Sequence, residues 1–238
     1  MNLTKINLFI FIIASLSGPI HGQTTEDYIK SGQSKLLSRD NQGAIKDFNK
    51  VIEIDNQNTF AYLMRGVSKS QLHEYRGAIL DFDKAISLDK KLGTAYYSRG
   101  RAKYNLNIYD EAIVDLNIAI EFDPEYRDAY YIRGRAKYDQ QDYVGSILDF
   151  SNTIRIDPNY EPPYFERANV KFDLEDYRGA LLDINQSIAL KPDKGESYAI
   201  RGIIKISLNL LDAGCLDLSK AGEIGYLDAY EYIRKLCK

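Results

Sequence analysis

Tyrosine recurs every 34 residues along this chain, at Tyr28, Tyr62, Tyr96, Tyr130, Tyr164 and Tyr198, with no insertion or deletion from first to last. A fixed period of that length constrains the fold more than any other feature. Each unit is one supersecondary element that cannot bury its own apolar face, so the units stack on their neighbours as a solenoid. The period also sorts the other residues. A side chain that returns six times in register serves the stacking, whereas one that departs from the period is available for something specific.

Thr94 to Pro124 shows one unit most clearly; its positions are numbered here so that Tyr96 is position 4. Ala95–Leu106 and Asp110–Phe122 each carry apolar residues at i, i+3 or i+4, and i+7, the spacing of an amphipathic helix. Asn107 and its neighbours form the turn, and Pro124 ends the second helix because proline disfavours helix at the residue before it. The unit is a helical hairpin. Position 8 is Gly32, Gly66, Gly100, Gly134, Ala168 and Gly202, and position 20 is Ala44, Ala78, Ala112, Ser146, Ala180 and Gly214. Glycine inside a helix costs up to about 1 kcal/mol relative to alanine, so its recurrence implies two helices in close approach. Position 24 (Phe48, Phe82, Leu116, Phe150, Ile184, Leu218) fills the space beside that contact, with isoleucine at position 28 and apolar residues at position 21.

Three charged positions also repeat. Position 11 is Lys35, Lys69, Lys103, Lys137, Lys171 and Lys205; position 23 is Asp47, Asp81, Asp115, Asp149, Asp183 and Asp217. Position 7 is Ser31 in the first repeat and then Arg65, Arg99, Arg133, Arg167 and Arg201. At 100° per residue, positions 4, 7, 8 and 11 share the face that meets the second helix, which points to an interhelix salt-bridge ladder. The competing reading, a basic ribbon for nucleic acid, is opposed by six matched aspartates.

These residues together resemble the tetratricopeptide repeat. The resemblance rests on an aromatic at position 4, Gly or Ala at 8, Ala at 20, Phe or Leu at 24, small Ala85, Ala119 and Ala221 at 27, and Pro124, Pro158 and Pro192 at 32. Asn56 and Lys90 replace proline in the first two repeats, and the last repeat drifts after Leu218. The resemblance implies an all-α, right-handed superhelical solenoid of helix-turn-helix units whose first helices line a concave groove. The repeats run 25–58, 59–92, 93–126, 127–160, 161–194 and 195–226 within a domain of 23–226, and 227–238 forms a C-terminal capping helix.

Positions 5, 9 and 12 face away from the packing side and, by the resemblance, line the groove. In the middle repeats they are Tyr97, Arg101 and Tyr104, then Tyr131, Arg135 and Tyr138, then Phe165, Asn169 and Phe172; the ends read Ile29, Gln33 and Leu36, and Ala199, Ile203 and Ile206. Aromatic and arginine side chains dominate binding hot spots, and an arginine between two tyrosines can stack on a ring and pair with a carboxylate. The aromatics can equally serve packing between neighbouring repeats. The carboxylate clamp that some relatives in the family use is absent; its positions carry Ile29, Gln33, Met64, Thr94 and Ser98.

The chain's formal net charge of −3 gives no general steering toward nucleic acid, and its two histidines, His21 and His73, leave little for histidine catalysis or metal binding. No metal cluster, nucleophile motif, phosphate loop or cofactor signature stands out. The function read from the sequence is a non-enzymatic scaffold that holds a peptide or protein partner in the groove. The alternative is an architectural subunit of a cell-envelope complex that uses the convex face or the end repeats. Both lie outside the cytoplasm, because residues 1–22 read as a cleaved signal peptide. A positively charged start is followed by the apolar run Leu8–Leu16 and Ser17-Gly18-Pro19, too short to span a bilayer comfortably. No membrane span follows, and the sequence leaves the oligomeric state open.

The two cysteines, Cys215 and Cys237, both lie at the C-terminal end, one on the last repeat and one on the helix that caps it. In an exported chain that placement reads as a disulfide, which would add about 2–4 kcal/mol to the stability of the end of the array. A free-thiol titration of denatured, unreduced protein is expected to find none; two titratable thiols would show the pair to be reduced.

Overall fold

The computed structural model describes residues 24–238; the expected signal peptide, 1–22, lies outside them. Within that span the chain is all helix, with no strand. The first helices of the successive hairpins are α1 (Thr25–Leu37), α3 (Thr59–Gln71), α5 (Gly93–Asn105), α7 (Arg127–Asp139), α9 (Pro162–Asp173) and α11 (Gly195–Ser207). Their partners are α2 (Asn41–Ile54), α4 (Tyr75–Leu88), α6 (Tyr109–Phe122), α8 (Tyr143–Ile156), α10 (Tyr177–Leu190) and α12 (Leu211–Glu223), and α13 (Ala229–Leu236) packs on α12. Each helix packs on the one before and the one after. The first helices of adjacent repeats also touch each other, which places them on the inner side of the curve and the second helices on the outer side.

The turn inside each hairpin is the same object six times. Arg39, His73, Asn107, Gln141, Glu175 and Asn209, all at position 15, have φ between 59° and 65°. A left-handed residue there lets the next amide reach back: Asp40 N–H donates to the Lys35 carbonyl at 2.8 Å, and Asp142 N–H to Lys137 at 2.8 Å. None of the six is glycine, so each pays a local strain on the order of 1 kcal/mol. The helix that follows is then capped in several repeats: the Asp40, Asp142 and Asp176 carboxylates accept from the amides of Gly43, Gly145 and Gly179 at 2.9–3.0 Å.

Close approach at positions 8 and 20 is confirmed by what a larger residue would meet. A Cβ on Gly66 would stand 2.6 Å from Phe82 Cε1, and one on Gly202 would stand 2.8 Å from the Gly214 carbonyl. Phe48, Phe82, Leu116, Phe150, Ile184 and Leu218 are buried beside that contact. The repeated tyrosines border the same layer; Tyr28, Tyr62, Tyr96 and Tyr198 pack against core clusters.

The charged ladder forms, with an additional contact that the sequence did not reveal. In repeats 2 to 6 the position-7 guanidinium grips the position-23 aspartate of its own repeat through two nitrogens. Arg99 Nε reaches Asp115 Oδ2 at 2.9 Å and its terminal nitrogen reaches Oδ1 at 2.5 Å; the position-11 lysine, Lys103, joins at 2.9 Å. The guanidinium's remaining arm crosses to position 25 of the preceding repeat. Arg65 meets Asn49 at 2.7 Å, Arg99 meets Asp83 at 2.6 Å, Arg133 meets Asn117 at 2.6 Å, Arg167 meets Ser151 at 2.8 Å and Arg201 meets Asn185 at 3.0 Å. One arginine therefore joins two helices of one repeat and two adjacent repeats. Burial opposes the charge on Arg99, but its hydrogen bonds to Asp115 and Asp83 outweigh that and hold its pKa above the ordinary arginine value. The same guanidinium lies over the position-4 ring one turn earlier, at 5.1–5.5 Å in the pairs Arg65–Tyr62, Arg99–Tyr96, Arg133–Tyr130 and Arg201–Tyr198.

Removing the buried Asp115 carboxylate takes from Arg99 and Lys103 their shared buried counter-charge and leaves them only Asp83 and Glu111, which are more exposed. Asp115→Ala is expected to cost about 3–5 kcal/mol, whereas Asp83→Ala, at a half-exposed carboxylate, is expected to cost about 1 kcal/mol or less. Denaturant midpoints of the two variants check the difference, and equal midpoints would refute the ladder's asymmetry.

Candidate functional site

The candidate groove residues sit on three neighbouring inner helices. Tyr97, Arg101 and Tyr104 are on α5, Tyr131, Arg135 and Tyr138 on α7, and Phe165 and Asn169 on α9. All are half-buried, so none stands out as a free hot-spot side chain. The aromatic at position 5 packs against the residue at position 34 of the same repeat, which starts the next hairpin. Tyr97 meets Tyr126 with ring centroids 4.6 Å apart, Tyr131 meets Tyr160 at 5.7 Å, and Lys194 Nζ lies 3.6 Å from the Phe165 ring centre. At position 12, Tyr104 packs on Tyr109, Tyr138 on Tyr143 and Phe172 on Tyr177, at 5.3–5.8 Å. The aromatics thus help to join repeats while leaving one edge toward the groove.

The arginines at position 9 have more freedom. The Arg101 guanidinium lies 5.6 Å from the Tyr97 ring and has no carboxylate partner among the described residues. Arg135 lies between the Tyr104 and Tyr131 rings, at 5.2 and 6.0 Å, and is 42% exposed. Its Nε is 3.8 Å from Glu166 Oε1, too far for a hydrogen bond. Arg127, at the start of α7, stacks on Tyr160 at 4.3 Å and is held by Asp128 and Asp157.

Glu166 is the groove residue that sequence reasoning missed. It occupies position 6, where the other repeats carry Lys30, Met64, Ser98, Ile132 and Ile200. Position 6 follows no pattern along the array, so nothing in the sequence singled out Glu166 or indicated that α9 turns its side chain toward α7. The Tyr131 hydroxyl donates to Glu166 Oε1 at 3.2 Å. Burial pushes the Glu166 carboxyl above the ordinary glutamate pKa, and Arg135 and the Tyr131 hydroxyl offset only part of this. Burial likewise pushes Tyr104 up to about 12 and raises Tyr97, Tyr131 and Tyr138, so these phenols stay neutral and can donate. Tyr138 does so to Asp173 at 2.7 Å.

The groove therefore offers two arginine forks, neutral phenol donors, aromatic edges and one carboxylate with a raised pKa. That set suits an extended polar chain with apolar or acidic side groups, held by stacking and charge-assisted hydrogen bonds. An apolar hollow of about 530 Å³, lined by Gln33, Leu36, Leu37, Met64, Val67 and Gln71, lies on the first two repeats, away from the tyrosine-rich stretch. No cluster of three potential metal ligands occurs among the described residues, and none of their helices is long and apolar enough to cross a membrane. Cys215 and Cys237 come to bonding distance, with sulfurs 1.99 Å and Cα atoms 5.8 Å apart, and they join α12 to the chain beyond α13.

Residues 97–161 match the family described as Tetratricopeptide repeat. No curated protein matches the chain by sequence. Among solved structures, YrrB, described as a TPR protein with an unusual peptide-binding site, superposes with a TM-score of 0.68 at 20% identity, over 79% of this chain and 97% of its own. PilF of Pseudomonas aeruginosa gives 0.76 at 18% identity, over 89% and 97%. MamA gives 0.65 at 26% identity, over 74% and 96%. These likenesses establish the fold, a solenoid of tetratricopeptide hairpins.

Glu166 also yields a pH signature. Its folded pKa lies above the unfolded value, so the folded state binds the extra proton and the ionised carboxylate opposes folding as pH rises through that interval. Glu166→Gln keeps an acceptor for Tyr131 and removes the charge. The variant is expected to match the parent near pH 4 and to be modestly more stable near pH 7. Thermal melts across that range check it; a variant less stable at neutral pH would show that the Arg135 attraction dominates.

Proposed function

We propose that this chain, a tetratricopeptide-repeat solenoid, is a non-enzymatic scaffold that holds an extended segment of a protein partner along α5, α7 and α9, outside the cytoplasm. The observation that carries the reading is Arg101 and Arg135 at the same position of adjacent repeats. The arginines and lysines at positions 7 and 11 are matched by aspartate, and these two inner-face arginines are not. A half-desolvated cation beside an aromatic ring gains most when a ligand supplies a close carboxylate, and Arg101 has none while Arg135 has only Glu166 at 3.8 Å. Because the period places the two forks one repeat apart, they would be spanned by a segment running across the inner helices rather than along one of them. YrrB, described as having an unusual peptide-binding site, is consistent with a peptide-holding role for a chain of this fold. Export rests on the N-terminal pattern at residues 1–22, and the cysteine pair at bonding distance is consistent with an oxidising compartment.

The non-enzymatic part of the reading rests on the surroundings of the groove carboxylate. Glu166 is the carboxylate in this stretch whose pKa is displaced upward, and its neighbours are two phenols and a guanidinium rather than a nucleophile.

Tagged protein isolated from cells should capture its partner from the native envelope fraction. Arg101→Ala with Arg135→Ala is expected to abolish that capture while leaving the melting temperature within about 2–4 °C of the parent, as befits half-exposed side chains outside the ladder. Full capture by the double variant would move the binding surface elsewhere.

A further inference from the structure

The outer face carries a second row of residues that the groove reading leaves unused. Position 22 is Leu80, Val114, Leu148, Leu182 and Leu216 in repeats 2 to 6, and these residues are 57–73% exposed. Position 23 beside them is a buried aspartate and position 24 a buried core residue, so position 22 contributes nothing to the hairpin's own packing. The first repeat has Lys46 there, exposed, which shows that the fold accommodates a charge at this point. Isolated surface leucines need no explanation, but five aliphatics in register do.

One helical turn earlier, at position 18, the same five repeats read Arg76, Asp110, Val144, Arg178 and Asp212, all exposed. Reversed about Val144, every charge in this series meets its opposite: Arg76 falls on Asp212, and Asp110 on Arg178. The same reversal places Leu80 on Leu216, Val114 on Leu182 and Leu148 on itself. Repeat 4, at the centre, has an aliphatic at both positions, with Val144 69% and Leu148 59% exposed. A two-fold axis imposes this pattern on a contact surface, because residue i meets j and j meets i, while a residue on the axis meets its own copy and cannot usefully be charged. The spacing of the row is set by the repeat rise, and a second copy has the same rise.

We propose that this face is a homodimer surface on which a second copy of the chain lies antiparallel, about a two-fold axis passing beside Val144 and Leu148 of α8. The inference is independent of what the groove holds. Arg76, Arg178 and Asp212 make no ion pair among the described residues, and Asp110 accepts only a hydrogen bond from Gln140, at 2.6 Å. These charges are therefore available to a partner. The like-charged residues that the same axis brings near one another are already engaged: Lys84 lies over the Tyr62 ring at 5.9 Å, Lys220 holds Glu223 at 3.3 Å, and Arg155 holds Glu125 at 3.0 Å. The six aliphatics together expose on the order of 600 Å², spread as a row across five helices. A standard interface takes about 800 Å² from each partner, so the flanking charges and helix backbones supply the remainder. Because the face is convex, contact is closest at α8 and opens toward both ends.

Sedimentation equilibrium of the protein isolated from cells should show a reversible dimer that weakens with added salt, as the position-18 pairs require. Leu148→Arg places a cation against its own copy and is expected to raise the dimer dissociation constant by at least about tenfold, or ~1.4 kcal/mol. Arg178→Asp should weaken the dimer, and adding Asp110→Arg should restore it by exchanging the charges across the axis. These side chains are exposed, so melting curves recorded at concentrations where the parent is monomeric should be unchanged and a loss of dimer would not reflect a loss of fold. A monomeric parent overturns the proposal, as would indifference to Leu148→Arg or failure of the exchanged pair to recover the dimer.

Discussion

The grip of the position-7 guanidinium on the position-23 carboxylate organises this solenoid. A buried carboxylate is tolerated only if its lone pairs are filled, and here an arginine and a lysine from the facing helix fill them. Such a pair adds little net stability over a well-packed apolar alternative, but it has a defined geometry, which leucine against leucine lacks. The fork requires the two helices to meet at one register, and its third nitrogen sets where the preceding repeat must stand. Rotation of one hairpin against the next would strand that nitrogen as well as disturb the apolar contact. The glycine at position 8 and the phenylalanine at position 24 then fill a space whose dimensions the polar contact has already set.

Fixing the register in this way has a consequence for the inner surface. Because the ladder holds each hairpin to the next, positions 5, 9 and 12 need not carry that duty alone, and their identities can drift from Ile29 and Gln33 through tyrosine and arginine to Ala199 and Ile203. The drift is not free of structure. The ring at position 5 still closes on position 34 in the middle repeats, whether that residue is Tyr126, Tyr160 or Lys194. A groove built this way is stiff, since its aromatics are braced from behind, and a stiff surface loses less entropy on binding.

The architecture was legible because it repeats: six copies of one pattern average out local ambiguity, and helix content, hairpin pairing, the small-residue contact and the Arg/Lys–Asp ladder could all be read from spacing. Features that depend on contact between repeats were harder to read. Position 25 varies among asparagine, aspartate and serine, and only the structure shows these short side chains meeting the same arginine nitrogen. The left-handed residue at position 15 is Arg39, His73, Gln141 or Glu175 in four repeats and asparagine in two, so no glycine announced it. Glu166 was hidden for a different reason. It stands at position 6, which follows no pattern along the array, and a lone carboxylate there carries no direction until the neighbouring helix is placed. The candidate site was thus legible as a set of residues on three helices, but the division between ring edges braced by packing and guanidinium groups left open was not.

The first repeat has Ser31 where every later one has arginine, so Asp47 is held by Lys35 alone. At the other end, Cys215 and Cys237 close over the last hairpin. A stack of nearest-neighbour units loses its order from its weaker end. This one is built to unzip in a single direction, from the amino-terminal hairpin inward. Hydrogen exchange would record that polarity as protection rising from α1 toward α12. The tyrosine-rich hairpins stand behind two that fray before them, so they would stay ordered after the array had begun to shorten.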